Sequence, residues 1–155
     1  MSDRSYFQLR IFEVSDGASV LSLLEEELER EAVYSESAKA FVEPDPASPI
    51  GKWVAEEMSL GYYEEIADQL IDADPNIVFE CWNDPKYEWL GGYAAYTPDL
   101  GWFRHDCDSE GNPVFTAQAY KAILAEVGLE LPSGPIATKL GIPWEDKFQS
   151  YRENR

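Results

Sequence analysis

The chain is poor in the residues that most enzyme and metal chemistry draws on. It has 1 histidine, His105, and 2 cysteines, Cys81 and Cys107, which lie far apart and in no C-x-x-C pair. Two cysteines cannot make a disulfide framework. With a single histidine beside them, a structural zinc site has no ligand set to draw on. No stretch approaches the roughly 18 apolar residues that a membrane-spanning helix needs. The opening MSDRSYFQLR has no long apolar run after a basic stretch, so no secretory leader is expected. The expected location is the cytoplasm, of the producing cell or of a host cell if the gene is viral. Neither G-x-x-x-x-G-K-[ST] nor G-x-G-x-x-G occurs, and Gly91-Gly92 alone is no phosphate cradle.

Basic residues are the other scarcity. Lysine and arginine number 12 against 30 acids, a net charge of −18. Such a surface repels nucleic acid and anionic lipid, which leaves basic proteins, cations, or water and salt as its partners. The acidity is uneven: residues 1–75 hold 18 acids and 5 bases, net −13, and residues 76–155 hold 12 and 7, net −5. What is present in quantity is apolar. Hydrophobic residues are 45% of the chain and aromatics 14%, enough for a core and too many for a disordered acidic tail.

The pattern along the chain predicts elements. Residues 6–14, YFQLRIFEV, place Phe7, Leu9 and Ile11 on one face and Gln8, Arg10 and Phe12 on the other, which is a strand. Ser15 or Asp16 caps an expected helix over 18–32, with Val20, Leu21, Leu24 and Leu28 inward and Glu25, Glu26, Glu27, Glu29 and Glu31 making an acidic face. Residues 34–51, with Pro44, Pro46 and Pro49, read as a surface loop, followed by a second helix to about Met58. A helix from Tyr62 to Ala73 stops at Asp74-Pro75 because the residue before proline disfavours helix. Strands are expected at 77–82, 87–96, 102–106 and 114–115, with turns between them and a bulge or bend at Gly91-Gly92. Thr116 caps a helix to Val127, with Tyr120, Ile123, Leu124 and Val127 inward and Gly128 as its stop. Residues 132–155 form a turn and a last helix opening at Pro143, with Trp144, Phe148 and Tyr151 on one side. The fold class is therefore α+β: one domain over 1–155, a mostly antiparallel sheet of an N-terminal strand and a meander of about four, with helices packed on one face.

No catalytic set stands out. In a strand His105 points away from Arg104 and Asp106, and Cys107 lies roughly 7 Å along on its own face, too far for a thiol–imidazole bond. Asp106, Asp108, Glu110 and Gly111 echo the start of a calcium loop, but its twelfth position is Ala117 where a bidentate Glu is required, so a polar turn is the better reading. Glu80, Asp84, Glu88 and Asp99 lie in the aromatic-rich meander, yet nothing singles out a hydrolytic pair. No catalytic residue, metal or cofactor is expected.

Charge carries the functional expectation. A row of carboxylates on rigid helices can stand in for a phosphate backbone, and a protein that grips DNA through Lys and Arg would bind it. The likeness is to the small acidic DNA mimics that phages and mobile elements make against defence enzymes, and it rests on charge alone. The expected protein is a non-catalytic inhibitor or regulator of a basic, nucleic-acid-binding protein. Its contact residues would be Glu25, Glu26 and Glu29 on the first helix, Glu64, Glu65, Asp68 and Asp72 on the third, and Trp82 and Trp89 as aromatic anchors. Two alternatives stand beside it: an interaction domain that uses an aromatic sheet face, its acidity serving only solubility, and a small carboxylate-dependent hydrolase.

Overall fold

The computed structural model of the chain describes residues 4–87, 89–127 and 135–153. The elements in order are β1 (Arg4–Glu13), α1 (Gly17–Leu24), β2 (Glu29–Arg30), β3 (Val33–Ser35), β4 (Ala40–Val42), β5 (Gly51–Ser59), α2 (Tyr62–Ala73), β6 (Val78–Asn83), β7 (Gly91–Thr97), β8 (Gly101–Cys107), α3 (Ala117–Val127), α4 (Pro135–Lys139) and α5 (Ile142–Glu153). Six strands form one antiparallel sheet in the order β2-β5-β1-β6-β7-β8, and β3 with β4 forms a separate hairpin. The α+β class and the antiparallel sheet are as the pattern predicts.

β1 is the hub. Its alternation puts Phe7, Leu9 and Ile11, all fully buried, under α1 and α2, where Val20, Leu24, Tyr62, Ile66 and Leu70 complete a core with Phe79 and Cys81. The other face is covered as well. Phe12, Val78, Trp82, Tyr93 and Phe103 meet Trp144 and Phe148 of α5, with Phe12 stacked on Phe148 at 4.9 Å. Helices thus lie on both faces and not on one, because β6 and β7 carry large apolar side chains to both sides, such as Phe79 to one and Trp82 and Tyr93 to the other, and each side must leave water.

Three local expectations give way to tertiary pairing. The first helix stops at Leu24, well short of residue 32: Glu25–Leu28 form a turn and Glu29–Arg30 pair with Val54 and Trp53 of β5. Glu25 with Glu29 and Glu27 with Glu31 would be like-charge neighbours on a continued helix, which works against it. Arg30 then fixes the exit, donating to the carbonyls of Asp45 and Ile50 and lying 5.2 Å over Trp53. The segment expected as a helix to Met58 is β5, since pairing with β1 sets Trp53 opposite Leu9 and Val54 opposite Gln8. Gly91 and Gly92 make no bulge; they pair regularly with Cys107 and Asp106. A Cβ on Gly92 would lie 2.0 Å from the Tyr63 ring, so close approach is what requires glycine there.

At the C-terminal end, Thr116 caps α3 as expected, its Oγ1 accepting from the Ala119 N–H at 3.0 Å. Residues 114–115 are no strand, although the Val114 N–H reaches the Asp106 carbonyl. Tyr120 is exposed rather than inward, while Ile123 and Leu124 are half-buried. The expected stop at Gly128 and the residue Glu88 lie outside the described residues, as does the Val127 side chain.

Candidate functional site

Two neighbouring clefts, each about 440 Å³, run along the outer side of β5. They exist because β2 is only 2 residues long and antiparallel to β5, so the chain joins the edge only at Val54 and runs on toward Trp53, leaving Ala55–Ser59 behind it unpaired by β2. Among the described residues no strand covers that stretch of edge. Glu27, Glu57 and Met58 border both clefts; Glu29 and Glu56 line one, and Glu65 with Arg4 lines the other. Among the described residues the lining is therefore 5 carboxylates to 1 cation. The phenols in the groove feel this field. Burial first, then the charges of Glu31, Asp84 and Glu56, push Tyr6 up, and burial followed by the hydrogen bond and charge of Glu27 pushes Tyr62 up.

The expected contact residues divide by place. Glu29 and Glu65 line the groove, and Glu25 and Glu26 are exposed on the turn after α1. None of Glu25, Glu26 or Glu29 stands on a helix, and α1 itself, GASVLSLL, carries no charge. Glu64 and Asp68 of α2 are tied to Arg104, which lies 4.4 Å over Trp102, so their charge is partly neutralised. Asp72 is exposed further along α2. Trp82 is no surface anchor: it is 2% exposed, packed under Arg10 and against Gly111. Trp89 is 60% exposed beside Tyr87 and Leu90 in the β6–β7 connection. Sequence reading missed Glu56 and Glu57, since an expected helix hid their place on a strand edge. It also missed the β3–β4 hairpin, which exposes Val33, Tyr34, Phe41 and Val42.

The remaining polar candidates are each engaged elsewhere. Glu80, 3% exposed under α5, accepts from Arg10 Nη1, from Arg152 Nη2 and from the Tyr93 hydroxyl at 2.8 Å. Asp84 accepts from Gln8, and burial raises its carboxyl. Asp99 binds Lys147, whose hydrogen bond holds the carboxyl down at about 2. These carboxylates sit in different settings and form no acid–base pair. Asp108 is the anchor of a turn, accepting from the Glu110 and Asn112 N–H groups and from the Asn112 amide, so the polar-turn reading of this loop holds. Among the described residues no group of three or more His, Cys, Asp or Glu side chains could hold a metal ion. His105 packs against Phe115, ring centres 4.0 Å apart and planes tilted by 55°, while the Cys107 thiol donates to the Asn83 carbonyl, so His105 and Cys107 are not bonded to each other. Burial raises Cys81 well above the usual thiol range and Cys107 to about 12, which keeps both protonated and unreactive at neutral pH.

Among the described residues no helix is long and apolar enough to cross a membrane. No curated protein and no solved structure matches the chain. Residues 44–155, which run from before β5 through α5, match the model of a family described as "Protein of unknown function (DUF3145)", and the chain belongs to that family.

Proposed function

We propose that this is a non-catalytic binding protein whose acidic groove takes a basic, extended segment of a partner protein. The observation that carries the reading is the conjunction along β5, among the described residues: a strand edge over Ala55–Ser59 that no other strand covers and a lining of 5 carboxylates to 1 cation. An open edge offers backbone donors and acceptors to any added strand. The glutamates select among candidates. A second copy of a chain of net charge −18 is repelled, whereas a lysine- or arginine-rich segment is drawn in. Proteins that bind nucleic acid carry such segments, and occupying one would inhibit or regulate its owner, as a DNA mimic does by charge. The exposed Tyr34 and Phe41, paired edge-to-face at 5.5 Å on the hairpin that follows β2, would supply an apolar anchor.

The test is capture of partners from a native lysate, eluted by rising salt and identified by mass spectrometry, with the double variant Glu27→Lys/Glu57→Lys in parallel. A basic protein should be held by the wild type, leave at moderate salt and be lost from the variant. Asp146→Lys, on exposed α5 surface, should retain it. A partner that both charge variants hold equally, or one that resists salt, would remove the charge reading and favour an apolar interaction surface.

A further inference from the structure

We propose that a second cleft, beneath α5 and independent of the acidic groove, binds a free α-amino acid with a bulky apolar side chain. Two adjoining chambers make it. One, about 310 Å³, is walled by Tyr93, Phe103, Phe115 and Trp144. The other, about 250 Å³, is lined by charged groups of both signs: Arg10, Arg152, Glu80, Glu110 and Glu145. Asn112, Pro113 and Glu145 border both, so a single ligand can occupy the two together.

The chemistry of each chamber specifies one end of the ligand. In the aromatic chamber the polar handles are already turned away: Tyr93 gives its hydroxyl to Glu80, and the Trp144 indole N–H donates to the Gly101 carbonyl at 3.0 Å. Apart from Asn112 and Glu145 at the shared border, what remains toward the cavity is apolar, with Phe103 and Trp144 stacked at 5.2 Å, which suits an apolar or aromatic side chain. In the polar chamber Glu80 is buried and saturated by its three partners, and serves to hold the two guanidinium groups. Arg10 spends one donor on Glu80, at 3.3 Å, and is still 38% exposed, so it retains donors for a ligand carboxylate. Glu145, exposed on the rim, already accepts from Arg152 Nη1 at 2.7 Å, so Glu110, also exposed there, is the carboxylate placed for an ammonium. A simple anion would meet the rim glutamates and a simple cation the two arginines. A zwitterion satisfies both.

The probe is L-phenylalanine, titrated into the ¹⁵N-labelled full chain at constant ionic strength and followed by NMR. Saturable shifts centred on the Trp144 indole N–H and the amides of Asn112 and Glu145 are expected. Phenethylamine, without the carboxylate, and 3-phenylpropionate, without the ammonium, should each bind roughly tenfold more weakly, the loss of one charge-assisted contact. Phe115→Ala, a half-buried wall residue, should weaken phenylalanine several-fold while the rest of the spectrum stays folded. Equal binding of either analogue would overturn the zwitterion assignment. Absence of saturable shifts at the highest soluble phenylalanine concentration, or shifts that avoid Trp144, would overturn the site.

Discussion

Asp74 shows how much one side chain can organise. It is 1% exposed, yet its carboxylate accepts from the Ser15 N–H and hydroxyl, the Asp16 N–H and the Asn76 N–H, tying the β1–α1 turn to the end of α2. Burial by itself would raise its pKa; the Ser15, Asp16 and Asn76 hydrogen bonds outweigh burial and hold it below the ordinary value. A folded pKa below the unfolded one means stability that is complete above the unfolded value and lost as pH falls through the folded one. Wild-type unfolding free energy should therefore drop below about pH 4, and Asp74→Asn should show a shallower drop in urea titrations at stepped pH. Asp74→Ala leaves several donors unpaired and should cost about 2–4 kcal/mol at neutral pH by the same titration. Glycine at position 92 is as constrained: Gly92→Ala drives a methyl into Tyr63 and should cost more than 2 kcal/mol, roughly the overpacking range. The strand alternation of residues 6–14 was legible because each side chain's role is set by period alone. Asp74 was legible only as a helix stop, since its partner lies 59 positions away at Ser15.

Among the elements, those whose hydrophobic period agrees with their tertiary pairing were readable. α2 spans Tyr62–Ala73, the interval its pattern predicts, and Trp144 and Phe148 of α5 are buried as their spacing requires. β5 was not readable, because Trp53 and Met58 fit a helical stripe as well as a strand and only the partner β1 decides. The acidic contact surface moved with it, from the face of a helix to the rim of a strand edge. The β3–β4 hairpin has no place in the main sheet, and a two-stranded hairpin is marginal alone. Its amides at Val33–Ser35 and Ala40–Val42 should exchange with deuterium orders of magnitude faster than those of β1, with no change in global stability. Protection of the hairpin equal to that of the central strands would mean that something else holds it.

For the whole molecule, β1 decides what can fold. It sits between β5 and β6 and buries Phe7, Leu9 and Ile11 completely, yet it precedes the segment that matches the family model. A truncation to residues 44–155 loses the strand that joins the two parts of its own sheet, and it should show neither a cooperative thermal transition nor dispersed amide resonances. The charge works at the same scale. With −18 on 155 residues, self-repulsion opposes the compact state, and added salt should raise the unfolding midpoint while weakening capture of basic partners.

Opposite responses of folding and binding to salt separate a surface that is merely solvated from one arranged to bind. The most direct measurement is an NMR titration of the full chain with a synthetic peptide of alternating lysine and valine, at low and at physiological salt. The groove account predicts saturable shifts along Val54–Ser59 and at Glu27, weakening steeply with salt and abolished in Glu27→Lys/Glu57→Lys. Shifts spread evenly over the acidic surface, or confined to α2 and α5 and unchanged in that variant, would contradict it.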